Sequence, residues 1–222
     1  MLSLYDIHRQ AVFKGGSNLM KYYFVSDDCY FLNGLEDTLS GTIKERSIYV
    51  NVNHDVFILN PEPNDVIVLA IFNVTKRREI MRKPGLSLCR LIIMVKYGAS
   101  LIPGSTYTPW FIPWKTTTED FINILNELKN KKATRHQLPL EESEVFLYLG
   151  AGLSHKEVAQ QLSLSNKYIY AIRRRISISL GLRACNSATS ILLCRDVAEM
   201  RLYNKRRATF TPWGYENSLT LF

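Results

Sequence analysis

The residues with the most distinctive chemistry are three consecutive arginines, Arg173 to Arg175, in the segment 165–180. Ile169, Ile172 and Ile176 recur around them at helical spacing, which predicts a helix with an apolar face and other faces that are basic. A guanidinium is planar and permanently charged, and it can donate two parallel hydrogen bonds to guanine O6 and N7 or to a phosphate. This predicted helix therefore carries groups that suit a polyanionic ligand.

A shorter helix is predicted immediately before it. Residues 154–157, Ser-His-Lys-Glu, have the form of a capping box, in which a serine and a glutamate bond the free N–H groups at a helix start. Ser165 is placed to cap the next helix after a tight turn, and Gly181 to end it. Two short helices joined by a tight turn, the second one basic, predict a helix-turn-helix that binds the major groove of DNA. An ordinary helical hairpin with a solvated basic face has the same pattern.

Positive charge is concentrated in the last two-fifths of the chain. Of 222 residues, 28 are Lys or Arg and 20 are Asp or Glu, for a net charge of +8. Residues 131–222 carry 14 Lys or Arg against 7 Asp or Glu, whereas residues 1–130 carry 14 against 13. This localised excess suits double-stranded DNA as a partner. The apolar runs are far shorter than the ~20 residues of a membrane span, so we expect no membrane partner and a cytoplasmic location.

The N-terminal part alternates between strand and helix patterns. Residues 65–72 and 90–95 are continuous apolar runs, typical of buried parallel strands. Residues 30–39 and 116–128 have helical spacing. This alternation predicts an α/β domain with a parallel sheet. Residues 54–60 look like a strand where a crossover helix is expected.

Composition shifts divide the chain into four parts. We predict an α/β domain over residues 1–129, a polar basic linker over 130–137, an all-α domain of four helices over 138–203, and a basic, aromatic tail over 204–222. The four cysteines are scattered without metal-ligand spacing, and the four histidines form no nucleophile–base motif. We therefore expect no metal, no cofactor and no enzymatic activity.

Residues 138–182 resemble the DNA-binding domain of LuxR/FixJ-type (NarL-like) bacterial transcription regulators. The family pattern runs Leu-Thr-x-x-Glu-x-Glu-Val, Gly-x-Ser-Asn-Lys-Glu-Ile-Ala-x-x-Leu, Ser-x-x-Thr-Val-Lys and Lys-Leu-Gly-Val. This chain matches it without a gap at Leu138, Glu142, Glu144, Val145, Gly152, Ser154, Lys156, Glu157, Val158, Ala159, Leu162, Ser165, Ile169, Leu180, Gly181 and Leu182.

The resemblance implies roles for individual residues and a nucleoid-associated location. Base readout falls to Tyr170, Ala171 and Arg174. Phosphate contacts fall to Ser154, His155, Lys156, Lys167, Tyr168, Arg173 and Arg175. Pairing of two DNA-binding domains falls to a fourth helix through Ala188, Ile191, Leu192 and Arg195. Because Tyr168-Ile-Tyr170 replaces the usual Thr-Val-Lys, consensus sites of the family cannot be carried over.

The N-terminal part resembles the phospho-acceptor receiver domain of the same regulators, which has a doubly wound parallel sheet. Residues 25–35 are similar to the receiver start, and residues 65–70 to the strand that ends in the phosphorylated aspartate. In this alignment the receiver pocket consists of Asp27, Ala70 and Lys115. Alanine cannot accept a phosphoryl group, and one remaining acid binds Mg²⁺ poorly. We therefore expect a degenerate pseudo-receiver, as in the RcsA-type auxiliary members of the family.

These patterns predict a sequence-specific DNA-binding transcription regulator that acts as a dimer, independently of phosphorylation. A first alternative is an auxiliary interaction protein that forms a heterodimer with a related LuxR/FixJ-type regulator and modulates its DNA binding. A second is a ligand sensor in which Tyr107, Trp110, Phe111 and Trp114 line a pocket.

Overall fold

The computed structural model describes residues 19–54, 57–96, 98–99, 107–130, 134–135, 138–183 and 187–208. Its strands are β1 (Tyr22–Ser26), β2 (Ser47–Asn51), β3 (Val66–Ala70), β4 (Arg90–Val95), β5 (Tyr107–Thr108), β6 (Trp110–Pro113) and β7 (Thr134–Arg135). Its helices are α1 (Cys29–Thr38), α2 (Gly41–Glu45), α3 (Val74–Met81), α4 (Thr118–Asn130), α5 (Leu140–Gly150), α6 (His155–Gln161), α7 (Asn166–Ser179) and α8 (Ala188–Ala208). A short 3-10 helix spans Leu86–Leu88.

Five strands form one parallel sheet in the order β2-β1-β3-β4-β6. β1 and β3 lie at its centre, and their residues are buried throughout. The predicted parallel α/β domain is confirmed in this respect. None of the described helices is long and apolar enough to cross a membrane.

Three details differ from the sequence expectations. Residues 57–65 contain neither the crossover helix that the fold suggested nor the strand that the pattern suggested. The predicted linker includes β7, which pairs in parallel with β5, and α8 continues past residue 203 to Ala208. At the start of α4, within the predicted helical segment 116–128, the Asp120 N–H donates to Thr117 Oγ1 at 3.2 Å.

Alternating side chains divide the sheet into two apolar faces. Tyr22 and Phe24 point to one face, where α1, α2 and α4 cover them. Tyr23 and Val25 point to the other face, which α3 covers together with residues of the C-terminal helices. Because successive side chains of a strand point to opposite faces, the same strands contribute residues to both cores.

The second core continues into the C-terminal half of the chain. α8 packs against α3, the 3-10 helix and α5. Its buried residues Leu193, Val197 and Met200 belong to the same apolar cluster as the sheet residues Ile67 and Leu69. The position of the C-terminal helices relative to the sheet is therefore set by side-chain packing.

Buried ion pairs accompany this contact between α3 and α8. Arg77 Nε donates to Asp196 Oδ2 at 2.8 Å, and Arg195 Nη2 donates to Asp196 Oδ1 at 2.7 Å. Glu199 accepts from Arg82 Nε at 2.9 Å and from Arg78 Nε at 2.8 Å. Burying a charge is costly unless it is paired and hydrogen-bonded, so these pairs select one register of α8 against α3.

The hydrogen bonds to Glu199 change how readily its carboxyl group ionises. Burial alone would raise the pKa of Glu199, but the hydrogen bonds and charges of Arg78 and Arg82 outweigh it and hold the pKa below the ordinary value. The ionised form is therefore favoured in the folded state.

We expect Asp196→Ala to lower the free energy of unfolding by about 3–5 kcal/mol, because it leaves the Arg77 guanidinium buried without its carboxylate. Urea denaturation of the full chain measures this. Asp37→Ala, at an exposed position of α1, is the control and should change stability by less than ~0.5 kcal/mol. An Asp196→Ala protein as stable as the control would contradict a stabilising role for the pair.

Glu199→Gln should cost about 1.5–3 kcal/mol at neutral pH, because the arginines lose a charged acceptor. The folded-state pKa of Glu199 lies below its unfolded value of about 4.5. Its stabilisation is therefore present above that pH and is lost as the pH falls through the folded-state pKa. Urea midpoints at pH 7, 5 and 3.5 should show wild type and variant converging in acid, and a constant difference would refute this linkage.

Candidate nucleic-acid interface

The capping box predicted at α6 is present. The Ser154 N–H donates to Glu157 Oε2 at 2.7 Å, and the Glu157 N–H donates to Ser154 Oγ at 3.3 Å. The backbone and side-chain hydrogen bonds of Ser154 lower the pKa of Glu157. A reciprocal cap of this kind fixes where a short helix begins.

α7 is capped and oriented by comparable local contacts. The Tyr168 N–H donates to Ser165 Oγ at 3.1 Å. In the preceding turn Ser163 has a φ of 55°, and after the helix Gly181 has a φ of 78°. Ile169, Ile172 and Ile176 are buried, so the helix presents its remaining faces outward.

The outward face of α7 carries the three residues predicted to read bases. Tyr170, Ala171 and Arg174 are all exposed, with Arg174 one helical turn after the adjacent pair Tyr170 and Ala171 and Lys167 one turn before it. Within the described residues Arg174 takes part in no ion pair. The structure therefore brings an aromatic hydroxyl, a small side chain and a guanidinium together on one protruding helix face.

Most of the predicted phosphate-contact residues surround this face. Ser154, Lys156, Lys167 and Tyr168 are exposed, and the Arg175 guanidinium pairs with Glu142 of α5 at the surface. The start of α6 and the start of α7 thus flank the exposed stripe.

The prediction for Arg173 is wrong as a surface contact. Arg173 is only 3% exposed, and its Nη1 contacts His155 Nε2. The reason is its spacing, because residues 169, 172, 173 and 176 form one inward stripe of the helix. The sequence contains this spacing, but the prediction treated the three consecutive arginines alike and placed Arg173 on the surface.

Arg195, predicted to take part in pairing of DNA-binding domains, is also buried. Its Nε and Nη2 donate to Asp196 Oδ1, and its Nη1 donates to the Gly150 carbonyl oxygen at 3.4 Å. Of the other predicted residues on α8, Ala188 is exposed and Ile191 and Leu192 are half-buried. Among residues 188–200 of this helix, the exposed and half-buried residues lie in its first turns.

Gly150 has a packing role that the sequence did not suggest. A Cβ atom at this position would lie 2.4 Å from Arg195 Cδ and 2.9 Å from its Cγ. The glycine at positive φ after α5 is Gly152, at 98°, so Gly150 is needed for close packing rather than for its backbone conformation.

At the carboxyl edge of the sheet, the predicted receiver pocket has no cluster of acids. The Asp27 carboxylate accepts the N–H groups of Phe72 (3.1 Å) and Asn73 (2.8 Å). Ala70 is buried and Lys115 is exposed. Among the described residues, no group of three or more His, Cys, Asp or Glu side chains could hold a metal ion.

Aromatic side chains occupy this edge. The Trp114 ring lies 4.7 Å from the rings of both Phe31 and Phe72, and Lys96 Nζ lies 4.5 Å above the Phe72 ring. The sequence analysis singled out Trp114, but not its contacts with Phe31 and Phe72.

The aromatic ligand pocket is contradicted. Trp110 and Phe111 are buried on opposite faces of the sheet, as neighbours on a strand must be. The side chain of Tyr107 lies outside the described part of the structure.

Comparison with known proteins found similarities in sequence and in structure. No family model matches the chain. Fimbriae Z protein of Salmonella typhimurium is 40% identical over 65 residues, which are 28% of this chain and 31% of that protein. The chain therefore matches about a third of that relative's length.

Three solved structures similar to this chain are two of RcsB and one of FixJ. RcsB of Salmonella enterica serovar Typhimurium bound to promoter rprA has a TM-score of 0.39 and 17% identity, over 80% of this chain and 98% of that chain. An RcsB–DNA complex has a TM-score of 0.37 and 18% identity over the same shares. FixJ of B. japonicum has a TM-score of 0.30 and 14% identity, over 81% and 98%. RcsB, described in one of these structures as a two-component response regulator, and FixJ are thus among the proteins that this chain is similar to, in agreement with the resemblance that the sequence indicated.

The packing of Gly150 predicts that a side chain at this position lowers the stability of the protein. Gly150→Ala should destabilise the protein by roughly 1–3 kcal/mol through overpacking against Arg195. Gly34→Ala is the matched control, because Gly34 lies inside α1 and a Cβ added there would have nothing within 4 Å, and it should stabilise by about 0.5–1 kcal/mol. Thermal or urea unfolding checks both, and stabilisation by Gly150→Ala would show that Arg195 moves aside freely.

Proposed function

We propose that this protein is a DNA-binding transcription regulator whose helix-turn-helix, α6 and α7, docks on duplex DNA with α7 in the major groove. The observation that carries this proposal is the exposed stripe of Tyr170, Ala171 and Arg174 on a helix whose opposite face is fully packed. A helix fits the major groove, and its exposed side chains then face base edges.

Each exposed group receives a role from its chemistry. Arg174 donates to guanine O6 and N7, and Tyr170 and Ala171 contact neighbouring base edges. Ser154, His155, Lys156, Lys167 and Tyr168 contact phosphates on either side of the groove. Arg175 joins them by exchanging its surface pair with Glu142 for a phosphate, because exposed ion pairs are worth only about 0–1 kcal/mol.

The N-terminal domain acts, in this proposal, as a pseudo-receiver that is not phosphorylated. Ala70 stands at the position of the phospho-acceptor and has no nucleophile. The carboxylate of Asp27 is already bonded to two backbone N–H groups. The sheet therefore serves as a platform for α8 rather than as a phosphorylation switch.

Sequence-specific binding proceeds as a dimer through the accessible first turns of α8. Ala188, Ile191 and Leu192 supply a small apolar surface there. Two copies related by a two-fold axis would then read two half-sites. Arg195 takes no part, since it is buried within one chain.

A second candidate function is that of an auxiliary protein that pairs with a related regulator. It is favoured by the exposed apolar side chains of α7, namely Tyr168, Tyr170 and Ile178, which are 41%, 45% and 56% exposed. Such side chains suit a protein partner as well as a thymine methyl group.

Arg174→Glu tests the proposal, because it replaces the base-reading cation with an anion. We expect the affinity for a labelled mixed-sequence duplex, measured by fluorescence anisotropy with the full chain, to fall at least tenfold, since one good Arg–guanine contact is worth about 1–3 kcal/mol. In wild type, log K should fall linearly with log salt, by about 0.9 for each phosphate contacted.

Lys129→Glu is the charge-matched control, at an exposed position of α4 distant from α7 in the sequence. It should leave DNA affinity within about twofold of wild type at physiological salt. Equal losses in the two variants would mean that only net charge matters. If neither affects DNA binding while both still titrate a related regulator, the auxiliary function is correct instead.

A further inference from the structure

An open groove of about 430 Å³ lies where α5, α6, α7 and α8 meet. Its floor is apolar, formed by Leu149, Leu153 and Ile191. Its polar groups come from Ser154, His155, Tyr170 and Arg173. No carboxylate lines the groove among the described residues. Its charge therefore suits an anion, and so does its position beside α7.

The contact between Arg173 and His155 determines the state of the imidazole. A guanidinium has only donors, so His155 Nε2 must be the acceptor of the bond from Arg173 Nη1. The ring proton of the neutral imidazole then lies on Nδ1. Burial and the charge of Arg173 lower the pKa of His155, so this ring is neutral in the free protein at physiological pH.

The charged and polar groups near His155 come from three elements. α7 contributes Arg173 and the Tyr170 hydroxyl. α6 contributes Lys156 and Glu157, and the Glu157 carboxylate accepts from the Ser154 N–H. On α8, Arg195 is turned to Asp196 and Gly150. Against His155 itself, the neighbouring charge that shifts its titration is the cation Arg173.

We propose, resting on the DNA-binding function above, that the contact between Arg173 and His155 couples DNA binding to proton uptake when a phosphate of the bound duplex lies against His155 in this groove. Tyr170 and Ser154, at the edges of the same groove, place it beside the base-reading stripe. Neutral His155 first meets the phosphate through its Nδ1–H.

The seated phosphate supplies the negative charge that the groove lacks, and it therefore favours the imidazolium form. A proton from solvent then binds Nε2, and the bond from Arg173 is released. DNA binding is in this way coupled to the uptake of at most one proton. Affinity should consequently rise as the pH falls, because the bound state takes up more protons than the free state.

The test is fluorescence anisotropy of the full chain with a labelled mixed-sequence duplex at fixed salt between pH 7.5 and 5.5. We expect wild type to bind about three- to tenfold more tightly at pH 5.5, and His155→Asn to lose this dependence. Lys156→Gln, which removes a neighbouring proposed phosphate contact, should weaken binding at every pH and keep the dependence.

The nitrogen chemical shifts of the His155 imidazole provide a second measurement. They would not change on substitution of Arg173 if that residue had a purely structural role. In the free wild-type protein, His155 should show a protonated Nδ1 and an unprotonated Nε2. Arg173→Lys keeps the charge but loses the planar fork, and it should abolish this preference while the protein remains folded.

The outcomes separate the two proposals. DNA binding that is salt-dependent but unchanged or weakened in acid, or an imidazole with its proton on Nε2, overturns the role of His155 and leaves the proposed function intact. If wild type shows no salt-dependent binding to duplex DNA, the proposed function fails and this inference fails with it.

Discussion

The sheet face that carries Tyr23 and Val25 is apolar and must be covered. The rest of the structure depends on the helices that cover it. α3 and the C-terminal helices share one core with that face, and Asp196 and Glu199 bind three arginines of α3 and its C-terminal end across the contact. Paired buried charges tolerate little displacement, since a carboxylate shifted from its guanidinium would stay buried and unpaired. α8 is thereby held in place, and α5, which packs along it, is held with it.

The exposed surface of α7 follows from this anchoring. α7 buries three isoleucines and Arg173 against the other C-terminal helices, so the side that remains outward carries Tyr170, Ala171 and Arg174. Two neighbouring arginines consequently do different chemistry. Arg174 is exposed and meets a base edge in the proposed function, whereas Arg173 is buried and contacts His155. Burial, rather than residue type, decides which cation contacts a ligand directly.

Much of this arrangement could be predicted from local signals. Apolar runs indicated β3 and β4, and the Ser154–Glu157 box marked the start of α6, because capping and strand burial depend on adjacent residues. The docking of α8 could not be predicted in this way. Its acids and arginines look like solvent-facing residues until α3 supplies their partners, and Arg195 is buried only because Gly150 lets it approach. Arg173 could have been placed correctly from its spacing with Ile169 and Ile176.

The central claim is that α7 reads DNA sequence from a frame held by α8. Selection of genomic DNA fragments by the purified full chain, alone and at physiological salt, tests it most directly. We predict enrichment of a two-fold symmetric site whose half-sites lie one helical turn, or a multiple of it, apart. Recovery of fragments that share no sequence, with retention that simply disappears as salt rises, would contradict it.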